Sequence, residues 1–216
     1  MISNIDEEGD LWNSGYFAER VALIRYDMAQ HYDGQEKAQE FIGQNLQYST
    51  FREMAIESAL KKKDYCFAAK LTLDGEEKDI SFRGLVKKWR NYRYKVYQLS
   101  GMINEQRELA MDFILNGSFE YYGELKNTYD LSEWHSIYLS IISQLISREK
   151  TYYDVYTRIL IEEGEKQKLL EYVEENPSPL ENYFKHLIPE FKEEVFTLFL
   201  QLIKQVAARA DNRKKY

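Results

Sequence analysis

The sequence predicts an all-α protein, a helical-repeat array in which successive helical hairpins stack into an α-α superhelix. Three observations predict it. Turn-forming residues are scarce, with ten glycines and three prolines in 216 residues, about 6% where about 12% is usual. Apolar residues recur at steps of three and four along the chain, and no stretch keeps a strand's alternation for more than a few residues. Helix-capping signals punctuate the chain from end to end. Apolar residues make up 44% and aromatic residues 15%, enough for a sizeable core, and 30% charged residues solvate the exterior. At 25.8 kDa the chain reads as a single domain over 1–216, or as a piece of a longer protein.

Element by element, Phe17, Val21, Ile24 and Met28, flanked by Ala18, Ala22 and Ala29, form one apolar stripe in a helix from about Gly15 to His31. A shorter helix from Gln35 to Leu46 buries Ala38, Phe41, Ile42 and Leu46. Thr50-Phe51-Arg52-Glu53 is a capping box, in which hydroxyl and carboxylate each accept from the other residue's amide, and it opens a helix to Lys62. Asp64 caps the next helix, through Leu73. Ser81 starts a longer one, which Gly101 ends in the left-handed conformation. Asn104 opens a helix to about Asn116, closed by Gly117, and Ser118 starts another. Asp130-Leu131-Ser132-Glu133 and Ser178-Pro179-Leu180-Glu181 repeat the capping box, the second with Pro179 at the favoured first helical position. Pro189 opens the last helix, to about Ala210.

Internal repetition carries the array reading. Lys63-Asp64-Tyr65 aligns with Gly117-Ser118-Phe119 and Gly164-Glu165-Lys166. Upstream, Ala59-Leu60 then falls on Phe113-Ile114 and Leu160-Ile161; downstream, Ala68-Ala69 falls on Tyr122-Gly123 and Leu169-Leu170. Each copy is a helix, a tight turn and a second helix, followed by a further helix with a large aromatic near its start: Trp89, Trp134, Tyr183. A three-helix unit of about 45–50 residues fits HEAT- or armadillo-like stacking. The alternative is an irregular α-domain whose hairpins agree by chance.

Chemistry is mostly excluded. His31, His135 and His186 are isolated, and no Glu-x-x-His or His-Glu-x-x-His pair exists. One cysteine, Cys66, builds neither a disulfide nor a zinc site and suits a reducing compartment; a small core residue is its plainest role. No glycine spacing matches a phosphate loop. No catalytic residue, cofactor or metal is therefore expected. The acidic start, Met1-Ile2-Ser3-Asn4-Ile5-Asp6, lacks the pattern of a secretory signal, and Val195 to Val206 is too polar to span a bilayer, so a cytoplasmic location is expected.

The net charge of -7 disfavours phosphate backbones unless cations gather on one face. One stretch, Ser81 to Asn104, has no acid and holds Arg83, Lys87, Lys88, Arg90, Arg93 and Lys95 among Trp89, Tyr92, Tyr94 and Tyr97. Leu85, Trp89, Tyr92 and Val96 share the face assigned to the core. Arg83, Lys87, Arg90 and Tyr94 share another, suited to a protein partner or to phosphates with a stacked base. The alternative is a face paired to acids of a neighbouring helix, with Glu105 and Glu108 as partners. A basic tail, Arg209, Arg213, Lys214 and Lys215, offsets a helix dipole. The 18 tyrosines suit half-buried positions and interface rims.

Four stretches resemble the helical C-terminal region of bacterial SWIM zinc-finger proteins. They are Phe51-Arg52-Glu53-Met54-Ala55-Ile56-Glu57; Gly84-Leu85-Val86-Lys87-Lys88-Trp89 with Arg93-Tyr94; Arg107-Glu108-Leu109-Ala110; and Ala210-Asp211-Asn212-Arg213-Lys214. The similarity runs from about Ala29 to the C-terminus. The finger itself, Cys-x-Cys followed by Cys-x-His, is absent, so its zinc does not carry over. The resemblance implies a helical accessory region in nucleic-acid or protein-interaction contexts. The function expected is a non-catalytic helical-repeat module for protein–protein interaction or self-association. The alternative is a nucleic-acid accessory module using Arg83 to Lys95.

Overall fold

Twelve α-helices and no strand are found among the described residues of this computed structural model, which are 6–147 and 153–213, with side chains over 15–147 and 154–208. The helices are α1 (Asp6–Met28), α2 (Gln35–Gln44), α3 (Ser49–Lys61), α4 (Tyr65–Lys78), α5 (Arg83–Ser100) and α6 (Ile103–Leu115). They continue with α7 (Tyr121–Lys126), α8 (Leu131–Ser147), α9 (Tyr153–Glu162), α10 (Lys166–Glu175), α11 (Leu180–Leu187) and α12 (Lys192–Arg213). A single π-turn, Ala29–Asp33, follows α1 and ends at Gly34, whose φ of 89° needs glycine. The chain divides into two compact units, Met1–Gln106 and Arg107–Tyr216, with the division inside α6. Helices pack on their sequence neighbours: α3 on α4 and α4 on α5 in the first unit, α9 on α10, α10 on α11 and α11 on α12 in the second.

The three aligned hairpin tips share one backbone solution. Lys63, Gly117 and Gly164 all have positive φ, at 59°, 100° and 70°. The amides of Asp64, Ser118 and Glu165 donate to the carbonyls of Ala59, Phe113 and Leu160, at 2.9, 2.9 and 2.8 Å. The amides of the three tip residues donate to Leu60, Ile114 and Ile161, at 3.1, 3.1 and 3.2 Å. These are the two bonds of a Schellman motif, which satisfies the last carbonyls of a helix and reverses the chain. Position for position, the first residue of each upstream pair is buried (Ala59, Phe113, Leu160), as is the first of each downstream pair (Ala68, Tyr122, Leu169).

The first unit's core gathers Ala22, Ile42, Phe51, Ala55, Ile56, Leu71 and Trp89. Phe51 is ringed by Tyr26, Phe41 and Tyr48, with centroids about 6 Å away in non-parallel geometry. At its centre Arg52, only 1% exposed, sends Nη1 to Asp79 Oδ2 at 2.7 Å, and Trp89 Nε1 donates to that same oxygen at 2.7 Å. The Arg52 guanidinium also lies over the Trp89 ring at 5.3 Å. Gly75 lets α4 approach that ring: a Cβ there would meet it at 2.9 Å.

The second unit has a comparable anchor. Glu163 Oε1 accepts from Lys126 Nζ at 2.7 Å, Tyr122 Oη at 2.8 Å and Trp134 Nε1 at 3.2 Å. Burial acts to raise the Glu163 pKa, but these hydrogen bonds outweigh it and hold the carboxyl below its ordinary value. Thr157 Oγ1 meets Tyr183 Oη at 3.0 Å, so the aromatic near the start of α11 is anchored as well.

Several expected boundaries shift. The Thr50–Glu53 capping box does not form, because α3 begins at Ser49 with Tyr48 at its N-cap, which puts Thr50 inside the first turn. The Thr50 amide donates to Glu19 Oε1 of α1 at 3.1 Å, and Glu53 is drawn to Lys88 and Tyr92 of α5. The N-terminus of α3 is thus capped by a carboxylate from 31 residues upstream. Asp64 does cap α4, accepting from the Phe67 amide at 3.1 Å, and Gly101 does end α5, with φ of 73°. Helix α4 runs on past Leu73 to Lys78, and α12 begins at Lys192, past Pro189. The side chains of the basic tail from Arg209 onward lie outside the described residues.

Candidate interaction surfaces

Helix α5 does carry the basic face, but turned by part of a turn from the expected one. Trp89 and Val96 are buried and Leu85 and Tyr92 half-buried, as the core assignment requires. Of the predicted contact residues Arg83, Lys87, Arg90 and Tyr94, only Arg83 and Lys87 are exposed. Tyr94 is 5% exposed and its hydroxyl accepts from Gln106 Nε2 at 3.2 Å, so it is a core residue and not a stacking platform. Arg90 is half-buried and engaged within the chain. The outward stripe is Gly84, Lys87, Asn91 and Lys95, bordering a groove of about 450 Å³ with Lys88, Tyr92 and Glu53.

Acids of neighbouring helices neutralise part of this face. Lys88 pairs with Glu53 of α3 at 2.5 Å, and Arg93 pairs with Glu76 of α4 at 2.7 Å. Neither pair involves Arg83, Lys87, Arg90 or Tyr94, the face for which pairing to Glu105 and Glu108 is the alternative. Tyr92 Oη lies 2.9 Å from Glu53 Oε1 and 3.1 Å from Glu57 Oε1. Burial first, then these two carboxylates, push the Tyr92 pKa far up, so it serves as a fixed proton donor. Arg83, Lys87 and Lys95 remain exposed, and the groove holds a carboxylate beside its cations.

A second kind of surface lies on α1. Its core-facing side is Glu19, Ala22, Leu23 and Tyr26. The apolar stripe that the sequence displays is turned away from that core: Phe17 is 69%, Ile24 60% and Met28 56% exposed, with Val21 half-buried between them. Beside the stripe runs a groove of about 560 Å³ lined by Phe17, Ala18, Val21, Phe41 and Tyr48 among others. On α12, Val195 and Leu198 are buried, while Phe196, Leu200, Ile203 and Val206 face outward.

Among the described residues no group of three or more His, Cys, Asp or Glu is placed to hold a metal ion, and no helix is long and apolar enough to cross a membrane. His31, His135 and His186 are exposed. Cys66 is exposed too, and not the small core residue expected of it, because it stands in the first turn of α4 on the side away from Ala68 and Leu71. No family model, no curated protein and no solved structure matches this chain.

Proposed function

We propose that this chain is a non-catalytic helical-repeat module that holds other protein chains against exposed helix faces. The observation that carries the reading is the pair of outward apolar stripes, Phe17, Ile24 and Met28 on α1 and Phe196, Leu200, Ile203 and Val206 on α12. Apolar side chains at helical spacing on an exposed helix face mark a surface that another chain covers. The anchors are then large apolar and aromatic side chains, with Arg20 and Arg25 at the margin of the α1 stripe. Phosphate contact by α5 has less in its support: Tyr94 is buried, two cations are paired, and the net charge is -7.

Affinity capture under native conditions tests this. The wild-type chain is expected to retain a stoichiometric protein partner, and Ile24→Glu combined with Ile203→Glu to lose it. Recovery of no stoichiometric protein, or retention by both forms alike, refutes the proposal.

A further inference from the structure

The geometry of α1 points to a definite occupant for its stripe, a second copy of this chain, and we propose that two copies pair through antiparallel α1 helices about a two-fold axis between Val21 and Ile24. This rests on the reading of the apolar stripe as an interaction face and names its partner.

The stripe has coiled-coil spacing. Phe17, Val21, Ile24 and Met28 follow one another at steps of four, three and four, the a and d positions of a heptad. Assigning Phe17 and Ile24 to d and Val21 and Met28 to a places the core-facing residues Glu19, Ala22, Leu23 and Tyr26 at b, c and f. The seam is thus directed away from the protein's own core. Antiparallel pairing sets Phe17 of each copy against Met28 of the other and Val21 against Ile24. The flexible thioether of Met28 then sits at the mouth of the groove lined by Phe17, Ala18, Val21, Phe41 and Tyr48.

Charge decides the partner and the direction. The g positions are Arg20 and Asp27 and the e positions are Ala18 and Arg25. In a parallel pair g faces e, so Arg20 would oppose Arg25 twice. In an antiparallel pair g faces g, so Arg20 of one copy meets Asp27 of the other, twice by symmetry. Arg20, Arg25 and Asp27 are all exposed, and Asp27 has no side-chain ion pair within the described residues. Among the described residues Arg20 donates to the hydroxyl of its neighbour Tyr16 at 3.0 Å and has no ion pair. On the other flank the Arg25 stem can lie over Ala18. The motif is self-complementary, as an isologous interface must be.

Sedimentation velocity on the full chain from about 1 to 200 μM tests the pairing. A small interface of this kind is expected to give a monomer–dimer equilibrium with Kd on the order of 10 μM. Ile24→Glu is expected to raise Kd at least about 100-fold, with the circular dichroism spectrum unchanged because the residue is exposed. Arg20→Asp or Asp27→Arg alone is expected to weaken pairing about 10-fold, and the double swap to restore it to within about threefold. A monomer across the whole range overturns the proposal, as does a dimer indifferent to Ile24→Glu or a charge swap that fails to restore pairing. A wild-type monomer that still captures a different protein through Ile24 leaves the interaction-face reading standing and removes the self-pairing. Loss of both removes both.

Discussion

Asp79→Ala tests the account of the first unit's core most directly. Asp79 Oδ2 accepts from Arg52 Nη1 and from Trp89 Nε1, each at 2.7 Å, and Arg52 is 1% exposed. Removing the carboxylate leaves a cation that can neither reach water nor shed its proton, and leaves an indole N–H without its acceptor. Breaking a buried pair on one side costs about 3–5 kcal/mol, because the remaining charge keeps its full desolvation penalty. That is a large share of a net stability of about 5–15 kcal/mol. Replacing both members with apolar residues, as in Arg52→Met with Asp79→Leu, removes the charge along with its partner. The double variant is therefore expected to be more stable than Asp79→Ala alone, with about 1–3 kcal/mol still lost at the Trp89 N–H. Native-state hydrogen exchange reads this unit by unit. Amide protection in the buried turns of α3, α4 and α5 is expected to fall about 150- to 5000-fold in Asp79→Ala, while α9 and α10 hold their protection as an internal reference. A loss of less than about 1 kcal/mol in α3–α5, or a double variant less stable than the single, would refute the reasoning.

Further outcomes follow from the repeated turns and from the second unit's anchor. Lys63 occupies the left-handed position that glycine holds in the other two tips. Lys63→Gly is therefore expected to stabilise the protein by about 0.5–1 kcal/mol, and Gly117→Ala and Gly164→Ala to destabilise it by about 1 kcal/mol each, read as shifts in urea midpoint. Opposite signs at equivalent positions are the signature; a loss at all three would show that the Lys63 side chain supports the turn. Glu163 has a carboxyl held below its ordinary value of 4.5. Its contribution is complete above the unfolded value and is lost as pH falls through the folded one. Urea midpoints of the wild type are thus expected to drop on acidification below about pH 4.5. Glu163→Gln is expected to be less stable by about 1–3 kcal/mol at neutral pH and to lack this component of the acid slope. Parallel acid profiles for the two forms would remove Glu163 from the account.

The class of fold was legible because its signals are local. Scarce glycine and proline and recurrent three-four spacing favour helices whatever they later pack against. The hairpin tips were legible for the same reason: a Schellman turn is made by bonds spanning five residues or fewer, so Gly117 and Gly164 declare themselves in the sequence. Asp64 could be read as a cap because its hydrogen bond reaches only to Phe67. The apolar stripe of α1 and the basic, acid-free stretch from Ser81 to Asn104 were visible as compositions.

Tertiary structure alone decided where those faces point. Periodicity gives the angle between residues on a helix and not the direction of the core, so Tyr94 went inward to Gln106 and the α1 stripe went outward. The Thr50–Glu53 box matched the local pattern and still did not form: α3 starts at Ser49, and Glu19 and Lys88 partner the Thr50 amide and the Glu53 carboxylate from other helices. Arg52 and Asp79 are 27 residues apart and share no motif; burial beside Trp89 is what makes them a pair. Local hydrogen bonding and helix propensity are written in neighbouring residues and can be read from them. The direction of a face, the partner of a charge and the exposure of an apolar stripe depend on which helices meet, and that is settled only when the chain has packed.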